Sequence, residues 1–338
     1  MKLGFAAAWF VGAAIVVPVT ASAVEPITLK FGFANPPQTW TNVNGIAPWA
    51  KDVETRSNGA LAIQVFAGGS VVNQRNTYDR LLNGVVDAAY GPLGAITDTM
   101  PRQEVTALPF ESPGLDESAL AAWELNKAGV FAEDFSRIHV LTLWCMPTSV
   151  LHTTKEIRKL EDLRGTKLSS ATRTNGEISE RLGATVVSIT NPEVYGALQR
   201  GMVQGLLLPF SGALTFHLQE VTKYHVQGLP LGCTVASFFM NKESYAKLPA
   251  DLRAVIDAAS GDAMAKHMRG AASNEERLAV DKVAGSPGAV IVTLEPAEVA
   301  RWRERLKPMA EDWVKRTPDG EKVLTAFRAE IRKIGAGL

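Results

Sequence analysis

Five histidines, at 139, 152, 217, 225 and 267, and two cysteines, Cys145 and Cys233, are the residues of this 338-residue chain whose chemistry would be easiest to recognise. Their spacing supports little of it. His217 and His225 lie eight apart and would share a helix face, but no third or fourth ligand stands near them, so no metal site is expected. Two cysteines are too few for a disulfide scaffold or a four-thiolate zinc site. Each reads as a structural thiol; in an oxidising compartment the two could also bridge, given suitable Cα spacing. The chain carries no G-x-S-x-G elbow, no phosphate-cradling G-x-x-x-x-G-K-[ST], no G-x-G-x-x-G after a strand and no H-E-x-x-H. An exported hydrolase would need a nucleophile or an acid–base pair, and none is legible.

The composition narrows the class further. Apolar residues make up 46% and charged residues 21%, a globular balance. Thirty-five basic residues match 35 acidic ones, which argues against a nucleic-acid partner. The length suggests two domains. The chain opens with Lys2, runs apolar from Leu3 to Val19 and reaches Ala21-Ser22-Ala23, an A-x-A cleavage pattern. A signal peptide over 1–23 is expected rather than an anchor, because Gly4, Gly12 and Pro18 interrupt the run and no basic stop-transfer flank follows. An exported, soluble chain from Val24 to Leu338 would remain.

That chain alternates strands and helices. Strand patterns occur over Ile27–Phe33, Ala60–Phe66, Val85–Tyr90, His139–Trp144 and Cys233–Met240. Helical patterns occur over Thr41–Arg56, with a stripe of Val43, Ile46, Trp49 and Val53, over Arg75–Leu82, Asn175–Leu182 and Pro192–Arg200 (behind Asn191 as cap), from Pro249 through Asn274, and over Pro296–Arg316 with a break near Pro308. This rhythm predicts an α/β fold with parallel strands. An internal echo links Leu81 to Ala89 with Leu198 to Leu206: each is a helix end, a glycine stop and a short buried strand. It fits either two similar lobes or the common joint of any α/β protein.

Three stretches carry a family resemblance. E-D-L-R-G-T-K-L (161–168), L-G-A-T-V-V (182–187) and N-P-E-V-Y-G-A-L-Q-R-G-M-V-Q-G (191–205) resemble the solute-binding proteins of tripartite ATP-independent periplasmic (TRAP) transporters, of the C4-dicarboxylate-receptor type. The matches S-N-G-A-L-A-I-Q-V-F-A-G-G-S-V (57–71), G-V-V-D-A-A (84–89), A-L-P-F (107–110) and M-N-K-E-S-Y-A-K-L-P-A-D-L-R (240–253) follow in order. The resemblance implies a two-lobed periplasmic binding protein with crossing strands and a long helix spanning both lobes. Lobe I would hold 24–145 and 236–280; lobe II would hold 146–235 and 281–338 with the C-terminal helices. It implies a non-catalytic periplasmic receptor that passes a small organic acid to TRAP membrane permease subunits. The chain would act as a monomer, with no cofactor and no metal. An exported ligand-sensing module is the alternative.

Departures from the family pattern shape the expected site. Where the family places a carboxylate-binding Arg, this chain has Ser169; where it has a ligand-touching Asn, this chain has Leu208. Both changes imply a less polar pocket, suited to a monocarboxylate, aromatic or hydroxylated. Arg173, where a strand end runs into a helix start, is expected to supply the charge in place of the missing Arg, the other reading being an exposed surface arginine. Ser169 would give a hydrogen bond, and Trp40 and Phe210 apolar walls. Gly91, after the third strand, would let a ligand approach the backbone. His152 would either donate a hydrogen bond to the solute or be a satisfied structural histidine. Phe238 and Phe239 read as core.

Overall fold

In the computed structural model, which describes residues 25–96 and 98–335 besides Met1, the first strand, Ile27–Gly32 (β1), buries Leu29 and Phe31 and exposes Lys30 between them. The expected signal peptide lies outside the described residues. β1 pairs in parallel with Leu61–Phe66 (β2) and Ala88–Pro92 (β3). Ala47–Arg56 (α1) and Thr77–Leu82 (α2) precede β2 and β3. A π-helical turn over Asn42–Ile46 comes before α1. Its wider winding turns Val43 out of the apolar stripe, so Val43 is exposed while Ile46, Trp49 and Val53 are buried. Leu115–Lys127 (α3) leads into Ile138–Cys145 (β4), and Val235–Asn241 (β10) returns from the second lobe. The sheet order is β2-β1-β3-β10-β4, with β10 antiparallel to its neighbours. One face buries Phe31, Trp49, Trp144 and Phe238; the other buries Phe131, Phe239 and Trp313. Lys242–Lys247 (α7) and Ala250–Ala258 (α8) complete this lobe.

The second lobe contains Val150–Thr153 (β5), Lys167–Ser170 (β6), Thr185–Ser188 (β7), Gly205–Leu208 (β8), Tyr224–Gln227 (β9) and Val290–Thr293 (β11). They lie in the order β11-β9-β5-β8-β6-β7. Arg173–Arg181 (α4), Asn191–Gln199 (α5), Phe210–Thr215 (α6) and Pro296–Leu306 (α10) cover them. The internal echo is therefore architectural. α2 and α5 each stop at a glycine with φ near 67°, Gly84 and Gly201, before β3 in one sheet and β8 in the other.

Two strand crossings, Met146–Ser149 and Gly228–Thr234, and the 24-residue helix Gly261–Ala284 (α9) join the lobes. α9 packs Met264, Met268 and Ala272 into the first lobe and Ala279 and Val283 into the second. The helix expected from Pro249 is two helices, because the chain breaks at Ser260–Gly261, where Gly261 takes φ 65°. The C-terminal helices also depart from their expected place in lobe II. Pro308–Arg316 (α11) bridges the lobes, with Met309 in the second core and Trp313 in the first, and Gly320–Gly335 (α12) packs on α3. The buried stripe Val323, Leu324 and Phe327 of α12 finds its apolar partner there.

The two strand crossings are clamped at their first-lobe ends. Cys145 and Cys233 form a disulfide with Cα atoms 5.8 Å apart. Beside it the Met146 N–H donates to the Thr234 carbonyl at 2.8 Å and the Cys233 N–H to the Thr106 carbonyl at 2.9 Å. Gly232 has φ 81°, and a Cβ there would sit 2.4 Å from the Ala107 backbone, so only glycine fits. Among the described residues no helix is long and apolar enough to cross a membrane.

Candidate functional site

Strand ends and helix starts from both lobes converge on one cavity between them, where α/β sheets bind ligands. The first lobe contributes Asn35 and Trp40 after β1, and Tyr90 and Pro92 in β3. The second contributes Ser169 in β6, Thr172 and Asn175 at the start of α4, Asn191 at the start of α5, and Leu206–Leu208 of β8. Met146, Ser149 and Thr234, from the crossings, form part of the wall. About 940 Å³ of atom-free space lies there, counting the opening to solvent. The lobes are closed over it: the Asn191 N–H donates to Gln74 Oε1 across the cleft at 3.3 Å, and the Thr174 hydroxyl donates to Glu104.

Local chemistry sets each wall. Thr172 caps α4, its hydroxyl accepting from the Asn175 N–H at 3.3 Å, so the positive end of that helix faces the cavity. The Asn175 Nδ2 donates to the Leu207 carbonyl at 3.2 Å and to Ser149 Oγ at 3.3 Å, which leaves its Oδ1 for other partners. Thr190, not Asn191, is the cap of α5, in a reciprocal capping box with Glu193; Asn191 is thereby free to line the cavity. The Tyr90 ring stacks on Trp144 with centroids 5.8 Å apart. Burial pushes its phenol well above the usual range, so it stays a neutral hydroxyl.

Among the described lining residues there is no Asp, Glu, Lys, Arg or His. The wall is hydroxyl, amide and apolar surface. A solute carboxylate would meet the α4 dipole and neutral donors rather than a fixed cation.

The expected site residues divide. Trp40 and Ser169, 7% and 3% exposed, line the cavity. Leu208, at the family's Asn position, lines it too. Gly91 lines a smaller adjoining pocket. Arg173, the first residue of α4, is not among the lining residues; its guanidinium pairs with Asp98 of the other lobe at the partly exposed rim. Phe210 is buried behind the cavity against Val150, Ala279 and Val283, edge-on to His152. His152 is fully buried and does not line the cavity. A carbonyl can only accept, so the 2.9 Å contact from His152 Nε2 to the Leu208 carbonyl makes Nε2 the protonated nitrogen. Nδ1 then accepts from His225 Nδ1 at 2.7 Å, which leaves His225 Nε2 a buried acceptor with no partner among the described residues. Burial first, and for His152 the neighbouring imidazole next, hold both well below the usual histidine range. His217 sits on an exposed turn, apart from His225.

The polar residues missed in the sequence are mostly small amides and hydroxyls. Asn35, Asn175 and Asn191 each stand just past a strand or at a helix start, a position that reads equally as a cap or turn signal.

This arrangement defines a class: a two-lobed solute-binding protein with its ligand cleft between the lobes. The family described as bacterial extracellular solute-binding protein, family 7, matches residues 33–317, and the chain belongs to it. It is thus a TRAP-type solute receptor, of a non-enzymatic family of soluble periplasmic binding proteins. The chain is similar to the C4-dicarboxylate-binding periplasmic protein DctP of Rhodobacter capsulatus, 27% identical over 94% of this chain and 93% of that one. A TRAP solute-binding protein of a marine metagenome, described as specific for aromatic acid ligands and holding 3-hydroxybenzoate, superposes with a TM-score of 0.86. It is 28% identical, over 92% of this chain and 99% of its own. One from Rhodoferax ferrireducens, with copurified benzoate, superposes with a TM-score of 0.85 at 27% identity over 92% and 99%.

Proposed function

We propose that the chain captures a small aromatic or hydroxylated monocarboxylate in the inter-lobe cavity and presents it, with the lobes closed, to the membrane subunits of a TRAP permease. The observation that carries this reading is the uncharged wall. Trp40, Tyr90, Leu206–Leu208 and Phe216 offer apolar surface for a ring, while Ser169, Thr172 and the start of α4 offer donors for one carboxylate. A dicarboxylate would leave its second charge without a cationic partner. The acid-binding structural relatives support the same class. In this reading Arg173 acts at the rim, through Asp98, as a contact between closed lobes.

A thermal-shift and calorimetric screen of the chain tests the proposal, with aromatic, hydroxy and aliphatic monocarboxylates, dicarboxylates and neutral compounds. Monocarboxylate binding is expected; a response confined to dicarboxylates or to neutral solutes refutes it. Replacing Trp40 with Ala is expected to weaken the best binder by about tenfold or more, the loss of a buried aromatic wall. Arg173→Ala is expected to cost less than about fivefold, because an exposed pair contributes only about 0.2–1 kcal/mol. A loss of a hundredfold restricted to carboxylates would instead put the guanidinium in the site.

A further inference from the structure

Gly91 sits in the interior of β3 for no reason that its backbone supplies. Its φ is not positive, and it pairs regularly with Ser237 of β10. The two other strand glycines have steric causes: a Cβ at Gly32 would lie 2.9 Å from Val72, and one at Gly205 would lie 2.3 Å from the His152 carbonyl oxygen. At Gly91 the nearest atoms would be Phe239 Cζ at 3.6 Å, Phe239 Cε1 at 3.7 Å and the Thr77 methyl at 4.0 Å, all ordinary contacts. An alanine fits. Glycine weakens a strand interior, and one with neither bulge nor crowding marks a place where something else comes close.

The open space adjoins the ligand cavity. Gly91, Thr77 and Phe239 border a small pocket beside the main cleft, and Asn35, Gln74, Tyr90 and Pro92 line both. The rest of the small pocket is walled in part by Tyr78, Leu93 and Ile96, largely apolar surface. The pocket has room for about one water-sized group.

We infer that Gly91 holds open a specificity pocket that receives a single-heavy-atom substituent, a methyl or hydroxyl, carried on the ring of the solute. This rests on the reading of the solute as an aromatic acid. Fit of one such group in an apolar pocket discriminates by about 10–200-fold. Gly91→Ala would fill the pocket while leaving the main cavity and the strand intact.

The test measures wild type and Gly91→Ala by calorimetry against benzoate and the three methyl and three hydroxy positional isomers, with crystals of both proteins exposed to xenon. In wild type at least one isomer is expected to bind about tenfold or more tightly than benzoate. That advantage should vanish in Gly91→Ala, with benzoate affinity changed less than about twofold. Xenon should occupy the side pocket of wild type and be absent from the variant. An isomer preference that survives Gly91→Ala, or no isomer preference in wild type, overturns the inference, as does a wild-type pocket that excludes xenon. If no aromatic acid binds wild type, the solute reading fails on its own and the substituent pocket falls with it; xenon occupancy then reports separately whether Gly91 keeps the space open.

Discussion

Replacing Cys145 and Cys233 together with alanine is expected to lower the unfolding free energy by about 2–5 kcal/mol, the usual cost of losing a native disulfide. The bridge closes a segment of 88 residues, for which loop-closure entropy alone amounts to about 4–5 kcal/mol. Both cysteines are buried, in the same core as Phe239 and Trp313, so the unbridged side chains also leave packing incomplete. The position adds a functional consequence. Cys145 and Cys233 immediately precede Met146 and Thr234, two cavity-lining residues on the two strand crossings. The Thr106 hydroxyl donates to the Cys233 carbonyl at 2.9 Å, tying the same point to the first lobe. The clamp therefore fixes the first-lobe ends of both strand crossings next to the cavity wall. Urea unfolding of wild type with and without reductant, beside the double variant, measures the effect. A midpoint lowered by roughly 4–20 °C in parallel thermal scans is expected, given about 2–4 °C per kcal/mol for chains of somewhat smaller size. A double variant that melts within a degree of wild type would mean that the crossings are held by the hydrogen bonds alone.

Acidification from pH 7 to pH 5 is expected to cost about 2 kcal/mol for each of His152 and His225. Both are fully buried, and their folded-state affinity for protons is depressed by that burial. The unfolded chain takes up protons at each as the pH falls through about 6.5, while the folded chain does not. Stability from this pair is therefore complete above that value and is lost progressively below it, down to the depressed folded-state values. The buried carboxyls Glu104 and Glu276 act in the opposite sense. Burial raises them, so their contribution declines as pH rises through their folded values. Urea titrations at pH 7, 6 and 5 give the slope, and His225→Asn separates the two effects. An amide at 225 can still donate to His152 Nδ1 but takes up no proton, so about one proton's worth of slope should disappear. A His225→Asn variant whose pH slope between 7 and 5 equals that of wild type would rule out the buried neutral pair.

Much of the frame was legible in sequence because its causes are local. The alternation of β1, α1, β2, α2 and β3 follows from apolar period and from glycine stops within about ten residues of each element. The matching joints at Gly84 and Gly201 are visible as text and recur as matching structure. The errors also have local causes: a π-helical turn displaces Val43 from the stripe of α1, and a left-handed Gly261 splits the long helix into α8 and α9.

The cleft shows the same division. Trp40 and Ser169 line the cavity at the positions to which the family resemblance assigned them, the first cleft loop and the usual arginine position. Arg173 does not line it. Its backbone stands at the expected helix start, but the direction of its side chain is set by Asp98, 75 residues away in the other lobe. His152 looks like a donor to solute in a linear reading. Only the antiparallel pairing of β5 with β9 places it opposite His225, 73 residues on, and turns its protons into the protein.

Residue identity and short-range pattern were enough for the α/β class and the family, because both are written in local periodicity and in motifs a few residues long. Tertiary structure alone decided that the two cysteines bridge, that α12 returns to α3, that the cleft wall carries no charge among the described residues and that Gly91 opens on a side pocket. Each of those depends on which surfaces distant segments bury together, and strand register and lobe packing are fixed by the whole core rather than by any one segment of it.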